Sequence, residues 1–219
     1  GSGEKKPVEW LVVAKNHYSN PSDSVTVISN ELIGKYKFDG DDNNIWKNSS
    51  LRHWLNNTFY GSFSSDFKNA VLKTTVPNKD GSGKSYTTSD NVFIPSTIEM
   101  GGDSDYFTYT IGSDWGYFTN DNSRIAKLGG KAGWWYWTRS PNAVWSHSIF
   151  GVAISGHFDY TSVGLGIGVR AVLNLKSDIL VKSMGDNKYE IVYKPIDTTP
   201  PTISINQNPI PPGEITSCC

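Results

Sequence analysis

The side chains best suited to chemistry lie in one stretch of the chain, between Asn142 and Ile167. Aromatic, imidazole, carboxylate and hydroxyl groups are interspersed there with glycine and serine. Tyr and Trp side chains cover a large area and still offer a polar tip, while Ser, Asp and Gly adapt to a partner. The composition therefore predicts a binding surface. Its expected centre is formed by Trp145, His147, His157, Asp159 and Tyr160.

The two histidines of this stretch could in principle form a metal site or an acid–base pair. In a surface segment rich in Ser and Gly, however, histidines more commonly make ordinary polar contacts, and we favour that interpretation. No HExxH, GxSxG or paired-cysteine zinc motif occurs in the chain. We therefore predict no catalytic residue, no metal ligand and no cofactor.

An acidic loop near residue 40 has part of the calcium-binding EF-hand pattern. Asp39, Asp41 and Asn43 occupy its first, third and fifth positions. However, Asn44 stands at the sixth position instead of glycine, and Ser50 at the twelfth instead of glutamate. We interpret this segment as a solvated turn.

Composition excludes several classes of partner. The 219 residues carry a net charge of −1 with Lys and Arg scattered along the chain, so no nucleic-acid partner is expected. No apolar run approaches the roughly 20 residues that cross a bilayer, so direct membrane insertion is not expected. The only cysteines are Cys218 and Cys219, so no disulfide can stabilise the core. We expect a monomer.

Local patterns predict the elements that must hold the binding surface. Val8–Val13 and Val25–Ile28 are typical of short strands. A helix is predicted to follow the capping residues at 48–50, because Leu51, Trp54, Leu55 and Phe59 form one apolar stripe. This stripe predicts that Trp54 lies in the core. The frame of the binding surface itself is expected from two apolar segments, residues 134–137 and 169–175.

The chain is predicted to contain one domain and a short tail. We assign residues 8–194 to a single domain that closes with a hairpin of residues 179–193, and residues 1–7 to an expression-tag remnant and linker. Residues 195–201 are proline-rich and extended, and residues 202–205 alternate like a first strand. Residues 195–219 therefore resemble a linker and the truncated start of a bacterial immunoglobulin-like repeat.

Several separated motifs resemble a bacterial and phage family, domain of unknown function 6273. They include WKNSSLR at 46–52, WLN at 54–56, TRSP at 138–141 and GVR at 168–170. Ala171 stands where the family usually has Pro. The resemblance covers roughly residues 8–194 and implies an α+β, C-type-lectin-like fold with two short helices, small antiparallel sheets and long loops.

The resemblance also implies a function. Related C-type-lectin-like domains include the variable proteins of diversity-generating retroelements, whose last third is rewritten by an error-prone reverse transcriptase while framework positions stay fixed. It therefore implies a receptor- or adhesin-type module on a bacterial cell surface or a virion. Its ligand would be a protein or glycan on another cell or on a phage host. The alternative is an enzyme of the formylglycine-generating type. That chemistry uses a cysteine pair, which the domain core lacks.

The family pattern divides the central stretch into framework and variable positions. It places Phe150, Val152, Gly156, Val163 and residues 168–170 in the framework, and alternation also puts Phe150, Val152 and Ile154 on one strand face. The positions between them are expected to be largely exposed. For the larger apolar ones the alternative is a place in the core. The predicted ligand contacts are Trp145, His147, Ile149, Gly151, Ala153, Ser155, His157, Asp159, Tyr160, Thr161, Ser162, Leu165 and Ile167.

Deleting residues 196–219 should leave the domain's melting temperature unchanged, because an extended linker separates this tail from the core pattern. Differential scanning calorimetry of the full and shortened chains checks this. A drop of several degrees would show that the tail packs on the domain.

Overall fold

The computed structural model describes residues 7–40, 42–103, 107, 109–131, 133–186 and 188–192. The predicted tag remnant before residue 7 and the tail from 195 lie outside the described residues. The chain falls into two compact units, one up to Leu180 and one from Val181 onward. The fold is mixed α+β, with small sheets and few helices, as the sequence predicts. The boundaries assigned at residues 8 and 194 stay predictions.

The described elements are short. The helices are α1 (Ser50–Trp54), which continues as a π-helical turn (Leu55–Phe59), α2 (Ser65–Ala70) and α3 (Asp121–Arg124). A 3-10 turn, Trp46–Asn48, precedes α1. No helix in the described ranges is long and apolar enough to span a membrane. The strands are β1 (Trp10–Lys15), β2 (Ser24–Ser29), β3 (Lys35–Tyr36), β4 (Val71–Leu72), β5 (Thr74–Lys79), β6 (Ser85–Asp90), β7 (Tyr136–Pro141), β8 (Ser148–Val152), β9 (Phe158–Ser162), β10 (Ile167–Gly168), β11 (Val172–Lys176), β12 (Val181–Gly185) and β13 (Lys188–Ile191).

A four-stranded sheet joins the beginning and end of the first unit. Its order is β1-β2-β11-β4, and all its pairings are antiparallel. Leu173 lies opposite Val27, and both side chains are buried. Polar groups within the sheet satisfy one another, since Thr26 Oγ1 donates to Asn174 Oδ1 at 2.6 Å. The predicted strands near residues 8–13 and 25–28 are confirmed, with β1 shifted by two residues.

A five-stranded sheet carries the predicted binding stretch. Its order is β3-β10-β7-β8-β9, with β7 and β10 parallel. Every residue of β7 is buried. Tyr136 and Trp137 are fully buried, and their polar tips donate hydrogen bonds to the carbonyls of Arg124 and Tyr36 at 2.6 and 2.8 Å. This half of the predicted aromatic frame is therefore a rigid part of the core.

Helix α1 begins as predicted but exposes more of one residue than expected. Ser49 is its N-cap and accepts a hydrogen bond from the backbone N–H of Arg52, and Leu55 is fully buried. Trp54, which is predicted to lie in the core, is mostly but not completely buried. Tyr36, from the two-residue strand β3, packs on it at 3.9 Å between ring centroids, and Phe59 stacks on it at 5.6 Å.

Asp39 corrects the prediction of a solvated turn. Its side chain is buried and accepts hydrogen bonds from Asn43 Nδ2 at 2.7 Å and from the backbone N–H of Ser50 at 3.2 Å. The carboxylate thus ties the loop to the start of α1, where negative charge is favourable. Asp41 lies outside the described residues.

The long segment after residue 100 is packed onto the rest of the first unit. Ile111, Trp115 and Phe118 are buried although the backbone around them is irregular. In the second unit, β12 and β13 form the predicted closing hairpin.

A buried ion pair joins Glu99, which lies just before the long irregular segment, to Arg139 of β7. Arg139 and Glu99 are fully buried, and the two guanidinium nitrogens donate to the two carboxylate oxygens at 2.5 Å each. Glu99 also accepts from the hydroxyl of Tyr18 at 2.8 Å and from the backbone N–H of Ser96 at 2.9 Å. Burial of the phenol is the main cause that raises the pKa of Tyr18 well above its usual value, and the negative charge of Glu99 is the second. The hydroxyl therefore stays protonated and donates to Glu99.

Replacing Glu99 with Gln should lower the free energy of unfolding by about 3–5 kcal/mol, because the Arg139 cation would then be buried without its counter-charge. Urea unfolding of the variant measures the loss. Glu190→Gln, at an exposed position of β13, is the matched control. Equal midpoints for the two variants would contradict a stabilising role for the pair.

Candidate ligand-binding site

The predicted contact residues differ widely in exposure. Six are exposed, with Trp145, Tyr160 and Leu165 about half accessible at 51%, 49% and 51%. The other exposed residues are His147, Ser155 and His157. Four are partly buried, namely Asp159, Thr161, Ser162 and Ile167.

Three predicted contact residues are buried, which corrects the expectation that they lie on the surface. They are Ile149, Gly151 and Ala153. Strand β8 is hydrogen-bonded on both edges, to β7 and β9, and both of its faces are covered, so alternation does not separate an inner from an outer side here. At Gly151 a Cβ atom would lie 2.7 Å from the carbonyl oxygen of Tyr136, which only glycine avoids.

The framework positions are buried, with one exception. Val152, Val163 and residues 168–170 are buried as expected, whereas Phe150 is only partly buried. Ile154 is 58% exposed because β8 ends at Val152 and Ile154 lies in the following turn. The prediction that it shares one strand face with Phe150 and Val152 is therefore wrong.

The turn between β8 and β9 presents His157 and depends on a glycine. Gly156 has a φ of +87°, and a Cβ there would lie 1.8 Å from the carbonyl oxygen of Asp121. Both the backbone angle and the space therefore require glycine. Beside it, Ser155 Oγ lies 2.5 Å from His157 Nδ1, which fixes the orientation of the imidazole ring.

A single buried asparagine holds the loop that carries Trp145. The side-chain amide of Asn44 donates to the backbone carbonyls of Asn142, Trp145 and Ser148 at 3.0, 3.2 and 2.8 Å. From within the loop, Asn142 Oδ1 accepts the backbone N–H groups of Val144 and Trp145 at 2.9 and 3.0 Å. The backbone is thus fixed while Val144 and Trp145 project outward, 76% and 51% exposed.

The five residues expected at the centre of the surface do not form one cluster. His147 immediately precedes β8 and His157 immediately precedes β9, and these strands are antiparallel, with Ser148 opposite Ser162 and Val152 opposite Phe158. The two histidines therefore lie at opposite ends of the hairpin, about 20 Å apart along the strands. Trp145 accompanies His147, with ring centroids 6.0 Å apart. Within the described residues, no group of three His, Cys, Asp or Glu side chains is placed to hold a metal ion.

The two sides of β9 differ in character. Tyr160 packs on Phe150 with ring centroids 6.1 Å apart, and Phe107 contacts Phe150 and Phe158 at 5.0 and 5.3 Å. This side is an aromatic cluster with Tyr160 at its exposed margin. Thr161, the next residue of the strand, instead lines an open cleft.

That cleft is lined by three of the predicted contacts, Thr161, Leu165 and Ile167. Its volume is about 430 Å³, and it lies where β7, β8, β9 and β10 come together. Lys35, from β3, places its Nζ 3.3 Å from the centre of the Trp134 ring. The lining is formed by Trp134, Trp135, Ile154, Thr161, Leu165, Gly166 and Ile167.

Sequence reasoning missed several of these residues. Trp134 and Trp135 were assigned to the buried frame, but Trp134 is 39% exposed and Trp135 is only partly buried. The sequence signal for these two residues is the run of four consecutive aromatics at 134–137. Consecutive side chains of a strand point to opposite faces, so the four rings cannot all lie on one buried face. Nothing local identifies Asn44 or Lys35, because each acts on a segment distant in sequence.

One family comparison matches the chain. The family model of DUF6273, a domain of unknown function, matches residues 22–177. The chain belongs to this family. No curated protein and no solved structure matches it.

Asn44→Ala should loosen the loop of residues 142–148, because three carbonyls lose their shared donor. We expect unfolding to become easier by about 1–3 kcal/mol, the usual cost of unsatisfied buried polar groups. Hydrogen exchange of the loop amides should accelerate more than that of β11. Asn57→Ala, on the exposed side of the first helix, is the control. Unchanged exchange in the loop would contradict the role given to Asn44.

Proposed function

We propose that this DUF6273 domain is a C-type-lectin-like ligand-binding module of the receptor or adhesin type. Its ligand would be a protein or glycan on another cell or on a phage host. The surface between Asn142 and Ile167, together with the adjoining Trp134 and Trp135, would carry the binding. The proposal includes the fold assignment, which rests on the family motifs.

The observation that carries the proposal is the rigid presentation of Trp145. An exposed Trp on a loop held by five side-chain hydrogen bonds contributes contact area with little entropy left to lose on binding. Aromatic residues also dominate the energetics of protein interfaces. A loop with no role in recognition would gain nothing from holding two apolar side chains, Val144 and Trp145, in solvent.

The alternative is an enzyme of the formylglycine-generating type, and the residues favour binding. The cysteine pair of that chemistry is missing, since the chain's only cysteines are Cys218 and Cys219. Arg139 and Arg170, two buried cations that flank the stretch, make structural contacts. Arg139 binds Glu99, and Arg170 donates to the carbonyl of Ser29 at 3.0 Å.

Diversification by a retroelement is a further part of the proposal, with location on a bacterial cell surface or a virion. Sequencing the coding locus from several isolates tests it. Substitutions at adenine-containing codons between Asn142 and Ile167, beside a template repeat and a reverse-transcriptase gene, are the expected result. A locus without these features would leave a binding module with a fixed surface.

Replacing Trp145, His157 and Tyr160 together with Ala should shift the melting temperature little. All three side chains are exposed, and exposed substitutions usually change stability by about 0.5 kcal/mol or less each. The variant should lose or change its binding to a panel of bacterial cells and immobilised glycans. Flow cytometry measures binding to the cells, and array fluorescence measures binding to the glycans.

The matched control combines Val12→Ala with Tyr189→Ala, two large apolar residues that are also exposed but lie outside the proposed surface. This control should bind like the parent protein. Equal binding by the parent and the triple variant would contradict the proposed surface. Unfolding of the triple variant would place these residues in the core.

A further inference from the structure

The hairpin of β12 and β13 exposes more apolar surface than its small size explains. Of the 14 large apolar side chains that are exposed in the described residues, five lie between residues 180 and 192. Such a concentration marks a surface that another segment covers. The five residues are Leu180, Val181, Met184, Tyr189 and Val192.

The strand register collects apolar side chains on one face of this hairpin. Val181 lies opposite Ile191, and Tyr189 precedes Ile191 by two residues, so all three share a face. The cross-strand pair of Lys182 and Glu190 points to the other face. In an antiparallel sheet, this alternation is typical of one face in water and one face packed against other residues.

Within the described residues, the apolar face stays uncovered. Val181 and Tyr189 are 51% and 62% exposed, and the two strands form a sheet of their own. The family match ends at residue 177, and the second compact unit begins at Val181. A two-stranded hairpin alone is only marginally stable in water. A covering layer is therefore expected from the chain that follows within the same unit.

The sequence after the hairpin contains a segment with the complementary pattern. Residues 202–205 read Thr-Ile-Ser-Ile, so in an extended chain Ile203 and Ile205 point to one side and the two hydroxyls to the other. The two isoleucines are two residues apart, or about 7 Å, as are Tyr189 and Ile191. Packed on the apolar face, this segment would keep its hydroxyl side in water.

The connection between the hairpin and this segment is long enough for such packing. Ten residues, 192–201, separate β13 from residue 202. A proline-rich chain spans about 3.1 Å per residue, which gives a reach of about 31 Å. The five residues of β12 cover only about 16 Å. A tether this short also holds the segment at about millimolar effective concentration, which favours it over a second copy of the chain.

We propose that residues 202–205, which lie outside the described residues, dock on the apolar face of the β12–β13 hairpin. Their two isoleucines pack against Val181, Tyr189 and Ile191. The hairpin is thus the docking site of the C-terminal tail. This proposal concerns the second unit alone and is independent of the ligand-binding function.

NMR and hydrogen exchange on the full chain test the proposal. With methyl-labelled isoleucine, nuclear Overhauser effects should connect the Ile203 and Ile205 methyl groups to the ring of Tyr189. Replacing both isoleucines with Ser keeps the length of the tail but removes its apolar side. Hydrogen exchange of the β12 and β13 amides should then accelerate by about tenfold or more, because the hairpin loses its cover.

The matched control replaces Ile210 and Ile215 with Ser. This variant loses two isoleucines from the same tail, but outside the alternating segment. Exchange in its hairpin should equal that of the parent protein. The melting temperature of the first unit should be the same in all three proteins, because the proposed contact is local to the second unit.

Three outcomes would overturn the proposal. Equal hairpin exchange in the parent and the Ile203/Ile205 variant, without the expected Overhauser effects, would show that this segment does not cover the face. An equal acceleration in the control would show that the tail has no specific docking segment. Protection that rises with protein concentration, together with a dimer in sedimentation velocity, would show that a second copy covers the face.

Discussion

The bidentate pair between Arg139 and Glu99 is the constraint on which the rest of the structure depends. Burying two charges is costly unless each finds a partner and its remaining hydrogen-bonding capacity is satisfied. Here Arg139 also donates to the carbonyl of Ile94 at 2.8 Å, and Glu99 receives Tyr18 and Ser96. The pair therefore positions strand β7, the start of the long irregular segment and the chain after β1 at one point in the core.

Strand β7 holds the proposed binding surface in place. Strands β8 and β10 pair with its two edges, and β9 pairs with β8. The positions of the cleft and of the hairpin turns therefore depend on a fully buried strand. The loop that carries Trp145 begins where β7 ends and is held by Asn44 from the other side. The exposed side chains of the proposed surface therefore stand on fixed backbone positions, although residues 1–217 contain no cysteine that could form a disulfide.

The proposed surface has two distinct regions, separated by the hairpin β8–β9. One combines the projecting Trp145 and His147 with the aromatic margin at Tyr160, and it is suited to a flat or concave partner. The other is the apolar cleft that Trp134, Leu165 and Ile167 help to line. The His157 turn lies at the far end of the strands from Trp145, so a single small ligand would not reach both.

Local features were determined by the sequence alone. Ser49 as an N-cap, the strand at residues 25–28, the buried run from Val169 to Leu175 and membership of DUF6273 all follow from patterns within short windows. These features depend either on local backbone geometry or on motifs that occur in a set order along the chain. They can be recognised without knowing which distant segments pack together.

Burial and long-range pairing were decided by the tertiary structure. Ile149 is buried because both faces of β8 are covered, and Trp54 stays partly exposed although the rings of Tyr36 and Phe59 pack on it. The contacts of Asn44 and Lys35 likewise join segments about 100 residues apart, at 98 residues for Asn44 and Asn142. Periodicity reports one face of one element, whereas exposure depends on what covers that face, and only the packed chain determines this.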